Sequence, residues 1–407
     1  MTAPPLLGTS PAIRSVPGPR TVKRRIYLCW GLLVLNVIPF YPGEQHLLLP
    51  IPGVVGKLIT QGSLAVALIL AMSINRRGSI RRSTYILLVT VMAGVALMDS
   101  LRSDFIFGSL YRVCRLLAFL LTLLLLTPWW GRRDLLLVKV HLTVIGIILG
   151  SVLVGYVVAP GVAMGSEGRL GGSLWPIPAT QVGRYAATAI GLTAILWMSG
   201  TIQRKAALIT ATIALPMLLL THTRTALVSM AAGLLIAGLS LFRTRARVRR
   251  AFAIGTVIVS IGALSLSSVL TTWIARGQDT QQLSNLTGRT VVWEQVLAQS
   301  RGWFELLFGI GLTNKSFNGL AIDSNWISTY YELGLVGVAL NIAMLLFLLV
   351  AASFRPHGVH RALALYLVGY AIVSSFTETG LGDASLALLE LTLAASLLLP
   401  TLHRGPR

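Results

Sequence analysis

The chain has 407 residues, 55% hydrophobic and only 12% charged, with a formal charge of +21. A soluble domain carries about 25% charged residues, whereas here apolar runs of about twenty residues recur along the whole sequence, which excludes an ordinary soluble globular protein. The positive charge does not indicate nucleic acid, because twenty-three of the 34 Lys and Arg lie in the tails or in alternate short loops, the positive-inside pattern of cytoplasmic loops.

Taken in chain order, residues 1–25 read as a basic, Pro-rich cytoplasmic tail and 26–407 as a single membrane domain. The pattern predicts an all-α polytopic membrane protein with about 12 transmembrane helices, near 26–40, 58–74, 84–99, 105–127, 135–159, 180–199, 206–221, 225–242, 251–273, 325–353, 362–376 and 384–400. An even number puts both termini on the cytoplasmic side. The basic segments RRGSIRR (76–82), 131–139, QRK (203–205), RTRARVRR (243–250) and 355–361 then all face inward. Of the 13 Asp and Glu, only Asp134 falls on that side. The expected location is therefore the cytoplasmic (inner) membrane, multi-pass. The first apolar run ends without a small-residue cleavage site, so no cleavable signal peptide is expected. Cys29 and Cys114 sit in apolar runs and imply neither a disulfide framework nor a thiolate metal site.

The outward loops are unequal. Those at 41–57, 100–104, 222–224 and 377–383 are short, 160–179 is medium, and 274–324, between spans nine and ten, is long. Within the long loop, GRTVVWEQVLAQSRGWFELLFGIG puts Val292, Val296 and Leu297 at helical spacing beside Trp293, which predicts an amphipathic helix on or near the membrane surface. Asn285-Leu286-Thr287 fits the N-glycosylation pattern, which is short and common.

Cations left on the outer side or inside spans oppose the positive-inside bias, and an intramembrane Arg is expensive enough to be a functional candidate. Arg112 and Arg115 sit three apart in span four and share a helix face. Arg184 lies one turn into span six, Arg224 at the tip LTHTRTAL, Arg169 in the medium loop, and Arg289 and Arg301 in the long one. Singly, such residues snorkel to headgroups or pair with outer acids. Gathered at one outer cavity they would bind an anion, since guanidinium matches phosphate bidentately. His222 reads as structural, and no second His or Cys at ligand spacing suggests zinc. Glu332 calls for an Arg partner, while Glu378 and Asp383 read as solvated. The stretch AIDSNWISTYYELGLVG (321–337) opens a long apolar run with Asp323, Ser324 and Asn325, which suits either an N-cap or a reaction centre at the membrane surface.

Four stretches in this order resemble the O-antigen ligase and O-antigen polymerase superfamily of membrane glycosyltransferases. They are RLGGSLWPIPATQVGRYAA (169–187), LTHTRTAL (220–227), GRTVVWEQVL (288–297), and FGIGL followed by DSNWISTYYELGLVG. Together they cover 169–337, which the resemblance makes a ligase/polymerase-like core with an outer loop at 274–324. The resemblance implies transfer or polymerisation of a glycan from a polyprenyl-diphosphate-linked donor onto a hydroxyl of a glycan or glycolipid acceptor, on the outer face of the membrane. No cofactor or metal is implied. Arg169, Arg224 and Arg289 are its first choices for the departing diphosphate, with Arg184, Arg112 and Arg115 second. Arg289 joins Asp323 and Asn325 as the catalytic set, with Asp323 as candidate base and Asn325 as a cap or an acceptor-orienting group. Ligases of the family place His where this chain has Ser324, which favours the polymerase-like or exopolysaccharide branch. The rival expectations are an enzyme using a polyprenyl-monophosphate sugar, with Glu44 the one acid in the first outer loop, a lipid-linked glycan transporter or flippase, and a non-catalytic assembly protein.

Overall fold

The computed structural model describes residues 19–38, 40, 47, 48, 50–165, 168–242, 244–265 and 289–400. Most of the basic tail, residues 266–273 of predicted span nine, the 274–288 part of the long loop with Asn285-Leu286-Thr287, and Glu44 lie outside them.

The apolar runs fold as helices: α1 (Pro19–Val37), α2 (Gly53–Ile74), α3 (Thr84–Ser100), α4 (Ile106–Leu126), α5 (Leu136–Val158), the single turn α6 (Pro160–Ala163), α7 (Ala179–Met198), α8 (Arg204–Leu220), α9 (Arg224–Phe242) and α10 (Ala246–Ser265). The long loop contributes α11 (Arg289–Ala298), α12 (Trp303–Phe308) and a hairpin of β1 (Ser316–Phe317) antiparallel to β2 (Leu320–Ala321). The chain ends in α13 (Asn325–Phe354), α14 (Val359–Ser374) and α15 (Leu386–Leu398). Each predicted span overlaps one of these helices. Five segments among the described residues are long and apolar enough to cross a membrane: α2, Ile106–Trp129, α5, α9 and α13. α1 begins earlier than expected, so residues 19–25 of the predicted tail are its first turns.

Helix contacts are made close by small residues. α9 packs most extensively on α14. A Cβ on Gly233 of α9 or on Gly191 of α7 would strike the Tyr366 ring, so both glycines make room for one buried aromatic on α14. The Tyr366 hydroxyl donates to the Ala187 carbonyl at 2.7 Å and so ties α14 to α7. α15 is buried almost throughout. It is apolar all round because it has neighbours all round.

α13 departs from the single long span expected. Gly334 sits at φ 62°, ψ −162°, outside the helical region, and breaks the helix. The carbonyls of Tyr331 and Glu332 accept from the N–H groups of Ile310 (3.3 Å) and Gly311 (3.0 Å) in the FGIGL turn. Gly309 and Gly334 pack backbone to backbone here, since a Cβ on either would lie 2.4 Å from main-chain atoms of the other segment. The twenty residues after the break suffice for a bilayer core, since about twenty helical residues span about 30 Å. The first two turns are left to shape the site.

α11 buries Val292 and Val296 against Ile322, with Phe317, Ile327, Tyr330 and Tyr331 packed around them. Leu297 is exposed. Val292 and Val296 are thus turned onto the hairpin and α13, while Leu297 and Val291 stay on the surface.

Candidate functional site

The four stretches singled out in the sequence converge at one end of the helix layer. Gly183 of α7 seats against Thr221 and Thr223, where a Cβ would approach to within 3 Å. Leu170 N–H donates to the Leu220 carbonyl at 3.0 Å, and Arg169 Nε to the Thr221 carbonyl at 3.1 Å. The Thr225 and Thr377 hydroxyls meet at 2.6 Å and bring the 377–383 loop alongside. Arg289, the first residue of α11, places Nε 3.2 Å from Asp323 Oδ2. Arg224, at the start of α9, lies within electrostatic range of Arg289.

Beside this junction is a cavity of about 650 Å³. Arg115, Arg184, Arg289 and Asp323 line it, as do Lys57, Lys315 and Glu378, which sequence reasoning had not chosen. Lys57 and Lys315 were legible as outer-side cations against the positive-inside bias; only packing shows that they face the same space.

The cations differ in how far they are already neutralised. Arg184 is buried and bridges Glu390 (2.5 Å) and Glu378 (2.9 Å). Thr188 donates to Glu390 at 2.9 Å, and His141 Nε2 lies 3.9 Å from the same carboxylate. The Trp30 indole donates to His141 Nδ1 at 3.1 Å, which leaves the ring hydrogen of the neutral imidazole on Nε2, facing Glu390. Arg112 is similarly occupied, between Glu332 (2.8 Å) and Asp383 (2.5 Å), and does not line the cavity. Arg169 and Arg224 also stand outside its lining. Among the described residues Arg115 donates hydrogen bonds to neutral acceptors, the Asn36 side chain and the carbonyls of Asn36 and Ala384, and makes no ion pair. Lys57 is exposed and has no ion-pair partner among the described residues. Lys315 Nζ stands 3.6 Å from Asp383. Positive charge therefore remains available at Lys57 and Arg115, and the paired Arg289 and Lys315 line the same cavity.

Asn325 is buried, and its Oδ1 accepts from the N–H groups of Gly380 (3.3 Å) and Leu381 (2.9 Å). It pins the 377–383 loop to α13. Ser324 is the N-cap residue of α13, with no side-chain cap hydrogen bond. Asp323 therefore does not cap the helix. Its side chain is 48% exposed and turned to Arg289 and the cavity.

Two acids expected to be solvated are not. Asp383 is buried between Arg112 and Lys315. Burial pushes its carboxyl up, but the charges of Arg112, Lys315 and Arg115 outweigh it and hold the group well below the usual carboxylate range. Glu378 is raised by burial against the opposing pull of Arg184. Glu332 has the Arg partner that its position demanded, and it also accepts from Thr313 N–H at 2.8 Å.

Comparison with known proteins finds no matching family model and no matching curated relative.

Proposed function

We propose that this chain is a multi-pass membrane glycosyltransferase of the O-antigen ligase and polymerase type. On this reading it spans the inner membrane about twelve times with both termini cytoplasmic. It transfers a glycan from a polyprenyl diphosphate to an acceptor hydroxyl at the outer face. The observation that carries the proposal is the Arg289–Asp323 pair at the edge of a cavity whose cations outnumber its acids.

The reaction needs two things from the protein. As the acceptor oxygen bonds to the anomeric carbon, the bond from that carbon to the diphosphate oxygen breaks, and the electron pair stays with the diphosphate. Fixed cations aimed at that oxygen lower the barrier, and removing one donor of this kind typically costs about a hundredfold or more. Arg289, Arg115, Lys57 and Lys315 supply that field. The acceptor proton goes to Asp323, whose Oδ1 makes no hydrogen bond among the described residues while Oδ2 is held by Arg289. Arg184 and Arg112, each spent on two carboxylates, hold the walls. Asn325 positions the loop that carries Glu378.

A second reading, a transporter of the same lipid, is favoured by the buried Arg184–Glu390–His141 chain, since intramembrane ionisable groups also build relays. One experiment separates the two. Purified protein in lipid vesicles is given a polyprenyl-diphosphate-linked oligosaccharide and an oligosaccharide acceptor. Release of polyprenyl diphosphate and growth of the glycan are followed for wild type, Arg289→Ala and Asp323→Asn. Turnover that collapses in both variants supports transfer. Passage of the intact lipid across the bilayer with no turnover overturns it.

A further inference from the structure

At the far end of the same helix layer, a groove of about 1010 Å³ opens between α7, α8 and α10. It shares no lining residue with the cavity beside Arg289 and Asp323. Its walls are Ile190 and Ala194 of α7, Ala207, Leu208 and Ala211 of α8, and Ile254 of α10. Leu208 is 51% and Ile254 60% exposed, so the apolar wall runs out onto the surface that faces lipid.

The mouth has a different chemistry. Arg204 opens α8, and Arg247 and Arg250 lie in the first turns of α10; all three line the groove and are exposed. None has a carboxylate or hydrogen-bond partner among the described residues. Arg247 Nη1 lies 3.2 Å from where a side chain on Gly200 would begin, so a residue with no side chain stands beside that guanidinium. Trp197 joins the lining at the same level, the depth at which indoles collect at a membrane interface. Both α8 and α10 start here, and helix N-termini favour anions. The segments that open them, QRK (203–205) and RTRARVRR (243–250), belong to the basic set expected on the cytoplasmic side, where anionic lipid headgroups face the protein.

We infer that this groove binds an anionic phospholipid of the inner leaflet, its phosphate held by Arg204, Arg247 and Arg250 and its acyl chains lying along α7, α8 and α10. Three unpaired guanidiniums beside an apolar trough complement a molecule with a charged phosphate at one end and hydrocarbon at the other.

The test uses the full chain reconstituted in vesicles of equal phosphatidylglycerol and phosphatidylcholine, extracted in mild detergent and examined by native mass spectrometry. Wild type should retain phosphatidylglycerol over phosphatidylcholine by about tenfold, which corresponds to about 1.4 kcal/mol. The combined Arg204→Gln, Arg247→Gln and Arg250→Gln variant should fall to the bulk ratio. Ala211→Trp, which puts an indole among the apolar walls where the chains would lie and keeps the charges, should lose the lipid too. Arg76→Gln with Arg77→Gln, on another basic loop, should change nothing. Retention by the triple variant or by Ala211→Trp would overturn the inference. So would an equal loss in the Arg76 and Arg77 control, or full displacement by glycerol 3-phosphate, which carries the phosphate without the chains.

Discussion

Arg289 Nε and Asp323 Oδ2 stand 3.2 Å apart and join the first residue of α11 to the residue before the cap of α13. Neither side chain is fully buried, so the pair contributes little to stability and its charges remain free to act on a ligand. On the proposed reaction, Arg289→Ala and Asp323→Asn should each lower turnover by about a hundredfold or more while leaving the melting temperature nearly unchanged. The double variant should be little worse than either single one, because the two groups work together. Single-turnover rates in vesicles measure this.

Arg112 should behave in the opposite way. It neutralises Glu332 and Asp383 at once, deep between α4, α13 and the last outer loop. Removing one partner of a buried pair costs about 3–5 kcal/mol, because the remaining charge stays buried. Arg112→Ala should therefore lower the thermal midpoint sharply in detergent, and a second substitution, Asp383→Asn, should recover part of the loss.

Two acids on one loop should give opposite pH slopes. The folded value of Asp383 lies below the unfolded value of about 3.9. Its stabilisation is complete above about pH 4 and is lost as pH falls through the depressed folded value. Glu378 is raised by burial, so its contribution is largest below its unfolded value of about 4.3 and declines as pH rises through the folded one. Thermal melts between about pH 3 and pH 8, a range that brackets both unfolded values, should lose part of their acid-side decline in Asp383→Asn. They should lose part of their decline toward neutral pH in Glu378→Gln.

Gly334→Ala should damage the fold locally. The position has φ 62°, and its new Cβ would lie 2.4 Å from the Leu307 carbonyl. Backbone strain alone costs about 1–3 kcal/mol, and the clash falls on main chain that has no flexible end to move. Faster proteolysis within the 309–323 segment, with the bulk helix content by circular dichroism unchanged, is the expected result.

Much of this was legible in the chain itself. Hydropathy and charge fix where the apolar runs lie and which loops are basic, because a bilayer tolerates neither unsatisfied backbone nor unpaired charge. The stretch from Asp323 announced a special helix start, and Glu332 announced a cationic partner, for the same reason. What sequence alone left open was who meets whom. Asp323 faces Arg289 rather than capping its own helix, and Asn325 holds the 377–383 loop. Asp383 is buried and Glu378 half-buried against Arg184 rather than solvated, and Lys57 and Lys315 share a cavity with Arg115. Each of these relations joins residues tens to hundreds of positions apart, and local periodicity carries no record of such distances. They are decided when the glycines at 191, 233, 309 and 334 let the helices and turns close on one another. Only that approach determines which buried charges find partners and which remain open to a ligand.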